Sequence, residues 1–402
     1  MKILHLLGSR NLPANPDNEG VSGVVRAALE FARAQVHLGH EVSIAVIGSA
    51  LWQSTWNGVQ LIGLSSIPWA PIHINGRILD FRQHIPYIFF TRRYTFDIVH
   101  GHLYSYMRFL WAKGYVAHFH SDPFYAGHNN EKYDLKSADL DYIARNTDAQ
   151  IAVSQFICDD LKRGLHGLGN VYLVRYGIDT ELFDPKRWQE ESLSLRREWG
   201  IPENGIVFLF AGAIVPEKGV IQLVRVFSRL AAQNSNLHLA LAGTSKLWRD
   251  EGLKTAPSDS YEGQVRDNCL GSVAAERIHF LGKVASSKMP AVYAACDVLV
   301  VPSIWREAFG LVALEALASG RPVIASSVGG LVEFVNEQNG LLVSPEAEGE
   351  LENAMRALAE SRELRQKLGS RGRAHALLFS WHLAAQQLDA IYKRILEKKV
   401  KL

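Results

Sequence analysis

Cysteine is scarce in this sequence. Cys158, Cys269 and Cys296 are odd in number, far apart and form no C-x2-C pair. That excludes a disulfide-stapled scaffold and a paired-cysteine zinc site, and it fits a reducing compartment. No run of 18 apolar residues occurs, so nothing reads as a membrane span. Neither sign of charge dominates: the formal net charge is +2 and no basic block stands out, which argues against nucleic acid as a partner. The opening MKILHLLGSR has one Lys and a short apolar run, and reads as a buried strand rather than a secretory leader. The patterns G-x-x-x-x-G-K-[ST], G-x-S-x-G and H-E-x-x-H are also missing, which removes three common enzyme classes.

What is present suits an ordinary globular protein: 402 residues, 48% apolar and 21% charged, enough for two or three domains. Short apolar runs alternate with helical periodicity almost throughout, the pattern of parallel sheet covered by helices. Strands are expected at 2–8, 41–47, 59–64, 97–103, 115–120, 149–153 and 171–175. After a charged, proline-bearing stretch at 176–205 they resume at 206–212, 237–242, 277–281, 297–301, 322–326 and 340–343. Helices are expected at 22–38, 219–233, 286–295, 310–319, 329–336 and 347–369, and a last one follows Ser380, a plausible N-cap. The fold class is therefore α/β, with two doubly wound, Rossmann-like halves joined near residue 180. Such sheets bind ligands outside the carboxyl ends of their strands, so two of them would share a cleft.

Residues 302–330, PSIWREAFGLVALEALASGRPVIASSVGG, carry the most chemistry. Glu307 and Glu315 bracket a Phe-Gly turn, with Phe309, Gly310 and Leu311 at a helix start. Free amides and the positive dipole end there favour phosphate. At ~1.5 Å rise per helical residue, the two carboxylates are expected on the order of 10 Å apart with an anion between them. In GAIVPEKG, Lys218 stands at the foot of a helix, where its charge opposes the dipole and an anion would explain it. Gly212 and Gly219 let backbone pass close to a ligand. In VAHFHSDP, His118 and His120 share one strand face, and His120, nearest the carboxyl end, can donate to a phosphate or sugar oxygen. Gly20, in NEGVSG, lets the first helix approach a ligand, although the spacing is no dinucleotide fingerprint. Asp139 and Asp141 read as helix surface rather than as a metal-holding pair.

Together these strings resemble a known family, the retaining glycosyltransferases of family 4 with the two-domain GT-B fold. The resemblance covers nearly the whole chain. It rests on GAIVPEKG, RIHFLGKV, MPAVYAACDVLVVPS, EAFGLVALEALASGRPVIAS and NGLLVSP, with EGVSGVV, LGHEV, HFHSD, AVS and YGIDTELFDP ahead of them. It implies an acceptor-binding domain at 1–178, a nucleotide-sugar-binding domain at 179–378, and a final helix, 379–402, that crosses back to the first. Glu307 would contact donor sugar hydroxyls, Glu315 the ribose diol and Lys218 the diphosphate. Phe309, Gly310 and Leu311 would offer backbone contacts, Val284 would lie beside the nucleobase, and His120 and Gly20 would reach the donor from the first domain. The chain departs from the pattern at Ala213, where the family commonly has Arg, and at Tyr176, where it has Asn. The segment after Gly243 is also longer than usual.

The activity implied is hexosyl transfer from a nucleotide-diphosphate sugar to an acceptor hydroxyl with retention, without a metal or other cofactor. UDP is the first expectation for the nucleotide, with GDP and ADP behind it. No residue stands as a covalent nucleophile, so catalysis would rest on positioning and on charge stabilisation of the leaving group. The competing readings are a nucleotide-sugar epimerase or inverting transferase on the same fold, and a non-catalytic scaffold or coat protein with a decayed site. The acceptor is a saccharide, a lipid-linked sugar or a small molecule, bound by loops at 9–19, 65–95 and 121–136, where Trp69, Tyr87, Phe89 and Tyr125 are stacking candidates. Arg77, Arg82, Arg92 and Arg93 near Ile85, Ile88, Phe89 and Phe90 would give a weak peripheral contact with anionic lipid. The expected place is the cytoplasm, at the inner face of the membrane where that contact is made.

Overall fold

The computed structural model describes residues 1–8, 11–19, 21–67, 72–74, 77–79, 81–102, 110–122, 137–166, 169–245 and 258–400. Their chain separates into two compact units. The first comprises Met1–Pro16, Val21–Gly177 and Trp381–Leu402, and the second Asp17–Gly20 and Ile178–Ser380.

In the first unit the elements run β1 (Lys2–Leu6), α1 (Gly23–His37), β2 (Glu41–Gly48), β3 (Trp52–Trp56), β4 (Val59–Ser65), β5 (Ile72–Ile74), β6 (Arg77–Leu79), α2 (Phe81–Arg93), β7 (Phe96–Gly101), β8 (Ala112–Phe119), α3 (Ser137–Asn146), β9 (Ala149–Ala152), α4 (Gln155–Gly164) and β10 (Val171–Leu173). Eight strands form one sheet in the order β10-β9-β8-β7-β1-β2-β4-β3, parallel except for the β3/β4 pair. Apolar alternation builds it: Ile3, Leu4, Ile44, Ile98, Val99 and Ile151 are fully buried. Helix α1 starts where Ser22 accepts from the Val25 amide, and it buries Val25, Ala28, Leu29, Phe31 and Ala32. The β5/β6 hairpin and β3 are not among the expected strands; β5 and β6 are three residues each, too short for an alternation to register.

In the second unit, α5 (Gln189–Glu198) leads into β11 (Ile206–Ala211), α6 (Val220–Gln233), β12 (Leu237–Ala242), α7 (Ser258–Leu270), β13 (Ile278–Gly282), α8 (Met289–Ala295), β14 (Val298–Val301), α9 (Leu311–Ala318), β15 (Val323–Ser326), β16 (Gly340–Val343), α10 (Glu348–Glu360) and α11 (Arg362–Ala376). Its six strands are all parallel, in the order β13-β12-β11-β14-β15-β16. The last helix, α12 (Trp381–Val400), belongs to the first unit.

Two helical expectations change. The run at 347–369 divides into α10 and α11, because Ser361 turns extended (φ −112°, ψ 101°) and its side chain caps the Leu364 amide at 3.0 Å. The helix expected at 329–336 is only a 3-10 turn, Gly329–Glu333. Gly329 is left-handed (φ 54°), and a Cβ there would lie 2.0 Å from the Glu307 carbonyl, so the turn is shaped by that contact rather than by helical propensity. Cys158, Cys269 and Cys296 are free and buried.

Candidate functional site

The strand order of the second sheet locates its ligand-binding point. From β11 the chain proceeds outward through β12 and β13, then returns to the other side of β11 to lay down β14, β15 and β16. The order therefore reverses between β11 and β14, and the loops after these two strands diverge at the crevice where open α/β sheets take ligands. Those loops are 212–219 and 302–310, the two stretches that carry Lys218 and Glu307.

The two loops are zipped together by backbone. The Glu217 carbonyl accepts from the amides of Ile304 (3.0 Å) and Trp305 (3.3 Å). Gly219 adopts a left-handed conformation (φ 66°), and a Cβ on it would sit 2.0 Å from the Pro302 carbonyl oxygen. Only glycine allows both at this position. On the β12 side, Gly243 (φ 147°) abuts Gly212, whose carbonyl oxygen would lie 1.7 Å from an added Cβ. Glu307 is fixed from behind, where its carbonyl accepts from Gly330 at 2.7 Å.

The fixed loops bring Lys218 directly onto Glu307. The Lys218 ammonium donates to Glu307 Oε1, and Ser303 Oγ donates to the same oxygen at 2.5 Å. Glu307 is buried at 9% exposure. The resemblance assigned these two residues to different parts of one ligand, and the structure also pairs them with each other. An ammonium has three donors and only one goes to Glu307, while Oε2 takes part in neither bond. The pair therefore keeps a donor side and an acceptor side. Ser303 is a functional candidate that the sequence reading passed over; its only signal was its position four residues before Glu307.

Gly310 starts α9 in a left-handed conformation (φ 90°, ψ 56°), and a Cβ on it would lie 2.3 Å from Leu331 Cδ2. Geometry leaves the first amides of α9, from Leu311 onward, without i−4 partners inside the helix. Phe309 is turned the other way: its ring is buried and stacks on Phe334 at 5.0 Å. Its backbone, not its ring, is what it has to offer a ligand. Glu315 lies in the second turn of α9 and accepts from Tyr293 Oη at 2.8 Å. Burial, reinforced by the neighbouring Glu315 carboxylate, raises the Tyr293 hydroxyl well above its ordinary range, so it stays protonated and donates. Tyr293 is a second residue the sequence reading missed; a tyrosine inside the apolar helix MPAVYAA needs a hydroxyl partner, and that was the available clue.

Val284 is half-buried in the loop after β13. Next to it, Ser286 donates through its amide (3.3 Å) and its hydroxyl (3.2 Å) to the Glu19 carbonyl. The neighbour of Glu19, Gly20, lies outside the described residues. Ala213 is buried, its side of the loop held by the Ile214 amide on the Thr244 carbonyl at 3.3 Å.

In the first unit His120 follows β8 directly and is buried at 9% exposure. Its Nε2 meets His102 Nδ1 at 2.6 Å and its Nδ1 meets Tyr176 Oη at 2.5 Å. Both ring nitrogens are thus engaged within the unit, and Tyr176 occupies His120 where the family pattern has Asn. Of the acceptor platforms, Tyr87 is a core side chain: its hydroxyl takes the Gly8 amide at 3.0 Å, so it does not stack on a ligand. Phe89 is exposed, and Trp69 and Tyr125 lie outside the described residues. Asp141 lies on α3 as expected, but it is half-buried, with Oδ1 out of solvent, rather than on the helix surface.

Known proteins match both units. The family model Glycosyltransferase Family 4 matches residues 21–182, and Glycosyl transferases group 1 matches residues 192–375. The chain is 32% identical over 320 residues to the D-inositol 3-phosphate glycosyltransferase of Corynebacterium glutamicum (strain R), covering 75% of this chain and 74% of that one. Matches to three other enzymes of that name span 51 to 56% of their length, and a match to that of Corynebacterium efficiens spans 73% at 29% identity. Among solved structures, sucrose-phosphate synthase (tll1590) from Thermosynechococcus elongatus superposes with a TM-score of 0.78 at 22% identity over 99% of both chains. Anabaena Alr3699/HepE in complex with UDP-glucose gives 0.73 at 19% identity over 100% of both. At these identities the structures speak for the fold alone, two parallel-sheet α/β units of the GT-B type.

Proposed function

Since the chain belongs to the glycosyltransferases that join a Family 4 region to a group 1 region, we propose that it moves a hexosyl group from a UDP-sugar to an acceptor hydroxyl with retention of anomeric configuration. The observation that carries this reading is the Lys218–Glu307–Ser303 cluster at the switch point of the second sheet, beside the start of α9. The diphosphate lies on the α9 amides and the remaining Lys218 donors. Glu307 Oε2 accepts from a sugar hydroxyl, and Glu315, steadied by Tyr293, accepts from the ribose diol. As the glycosidic bond breaks, charge builds on the departing phosphate oxygen. Lys218 and the helix-start amides stabilise it without reorganising. The same oxygen then takes the acceptor proton on the face from which it leaves. No resident metal is needed in this scheme, because fixed positive charge stands where a divalent cation would.

UDP is supported as nucleotide by the HepE neighbour, which was solved with UDP-glucose. The acceptor is a small polyol or saccharide, a class suggested by the relatives named for D-inositol 3-phosphate. A peripheral membrane contact at the cytoplasmic face is supported by Phe89, Tyr94 and Trp111, which are exposed beside Arg92 and Arg93. The non-catalytic reading draws on one observation, the buried Ala213 in place of a second cation.

A panel of UDP-, GDP- and ADP-sugars assayed by thermal stabilisation tests the donor first. A UDP-sugar should raise the melting temperature most. NMR of the product's anomeric carbon, with EDTA present, then separates retention from inversion and metal-free from metal-dependent transfer. Stabilisation without turnover on any acceptor would favour the non-catalytic reading, and an inverted product would overturn retention.

A further inference from the structure

The carboxyl-end face of the first sheet holds a file of imidazoles that the transfer reaction does not account for. β7, β1 and β8 are neighbours or next neighbours in the sheet, and His5 pairs in register with His100. Period-two spacing puts His100 and His102, and His118 and His120, on one face with His5. All five are buried, under α1 and α12.

Their ring nitrogens join in one continuous path. Tyr176 Oη meets His120 Nδ1 (2.5 Å), His120 Nε2 meets His102 Nδ1 (2.6 Å), and His102 Nε2 meets His5 Nδ1 (2.8 Å). His5 Nε2 meets Gln35 Oε1 (2.7 Å), and Gln35 Nε2 donates to Tyr392 Oη (3.2 Å). Tyr392 Oη reaches His100 Nδ1, and His100 Nε2 meets His118 Nδ1 at 2.9 Å. His118 Nε2, the end of the path, has no partner among the described residues. Two triplets bring their ligand atoms within 4.8 Å of one another, as a metal would require. Yet two imidazoles on one tetrahedral metal at ~2.05 Å stand about 3.4 Å apart, and the linked nitrogens here are closer, at hydrogen-bond distance.

A neutral imidazole has one donor and one acceptor, so a file of them must point its protons one way throughout. A primary amide is the one member whose polarity is fixed chemically, since its oxygen only accepts and its nitrogen only donates. We propose that the Gln35 amide, accepting from His5 and donating to Tyr392, sets a single proton direction through this file and so holds His120 as its Nε2–H tautomer. His120 Nδ1 is then an acceptor, satisfied by the Tyr176 hydroxyl. Gln35 is a positioning residue, acting on His120 through His5 and His102. Should the transfer reaction proposed above hold, His120 can receive a hydroxyl proton when Tyr176 yields, and cannot donate to a phosphate; only that consequence rests on the functional reading.

Long-range proton–nitrogen NMR on histidine-labelled full-length protein, with no substrate added, reads the tautomers directly. His5, His102 and His120 should each appear as a single neutral Nε2–H ring. His5 and His102 should remain so at about pH 5.5, where an ordinary imidazole is charged. In Gln35→Met, the second tautomer should appear at His102 and His120, while His37 on the same helix is unchanged. A proton on His120 Nδ1, an imidazolium anywhere in the file, or a Gln35→Met spectrum identical to wild type would each overturn the proposal. So would stoichiometric zinc shifting all five rings, which would make the cluster a metal centre. The wild-type spectrum decides the tautomer even if the variant fails to fold.

Discussion

At the scale of single residues, the candidate site is organised around a charge pair, Lys218 and Glu307. Lys218 neutralises Glu307 in a place where the carboxylate is largely out of water. Removing the cation therefore strands a buried anion and, under the proposed transfer, also withdraws positive charge from the leaving group. Lys218→Met is expected to cut turnover by about 10²-fold or more and to cost about 1–3 kcal/mol in a urea titration. Glu307→Gln keeps an amide oxygen as acceptor for Ser303 and Lys218 and leaves the better-hydrated partner, the Lys218 ammonium, without its counter-ion, so it should lose activity with a smaller loss of stability. Wild-type kcat in Lys218→Met would remove that lysine from the site. Gly219→Ala meets a harder obstacle, a carbonyl oxygen 2.0 Å from the new Cβ on left-handed backbone. It should lower stability by about 2–3 kcal/mol, and kcat should fall with it as the 302–307 loop shifts. Gly212→Ala is the control: its nearest neighbour would be 3.7 Å away, leaving only the φ of 146° as a penalty. If Gly219→Ala and Gly212→Ala prove equally mild, the close approach of the loops is not what fixes the pair. The residues of this site were legible as types and spacing, because Glu307, Gly310 and Glu315 lie in one short string. The Lys218–Glu307 contact was not, since a partner 89 residues away leaves no local trace, and Ser303 and Tyr293 left only the faint signals of a serine four residues before Glu307 and a tyrosine in an apolar helix.

At the scale of elements, three parallel strands and two covering helices enclose the histidine file, and this makes the first unit sensitive to acid. Burial pushes the His5 imidazole down to about 4, partly offset by its bond to Gln35, and His118 down to about 3. His100 and His102 are lowered as well, first by burial and then by the charge of neighbouring imidazoles, His5 foremost for His100 and His100 foremost for His102. The sign follows from linkage: in the unfolded chain these groups bind protons below about pH 6.5, and in the folded unit they do not. Folding is therefore unpenalised above pH 6.5 and loses stability as pH falls from there toward 4. Each histidine contributes a slope on the order of 1.4 kcal/mol per pH unit across that window. Urea midpoints between pH 7.5 and 5 should fall steeply, and His5→Phe should flatten the curve. A midpoint level across that range would mean that the imidazoles are charged in the folded state. The strand positions that build this face were readable from alternation. That polar side chains rather than aliphatics fill it was visible only for His118 and His120, because the other members come from β1 and β7, and β1 lies more than 90 residues earlier.

At the scale of the whole molecule, the chain closes its first unit with its last helix. Trp381, Leu388, Ile391, Tyr392 and Ile395 of α12 are buried, Trp381 stands edge-on to Phe31 of α1 at 5.1 Å, and Tyr392 bonds Gln35. At about 1.5–3 kcal/mol for each large apolar side chain, this burial rivals the total stability of a domain. A chain ending at Ser380 is therefore expected to lose hydrogen-exchange protection in β1, β7 and β8. Protection at the level of the intact chain would show that α12 is an accessory. The α/β class, the parallel strands, the division near residue 180 and the glycine-led start of α9 were determined by the sequence itself, because alternation, glycine placement and helix starts are local properties. Which charges meet, which way Phe309 faces and how Tyr176 engages His120 were decided only by tertiary structure. Each of these depends on strands and helices distant in the chain being brought within bonding distance, and no window of residues contains that information.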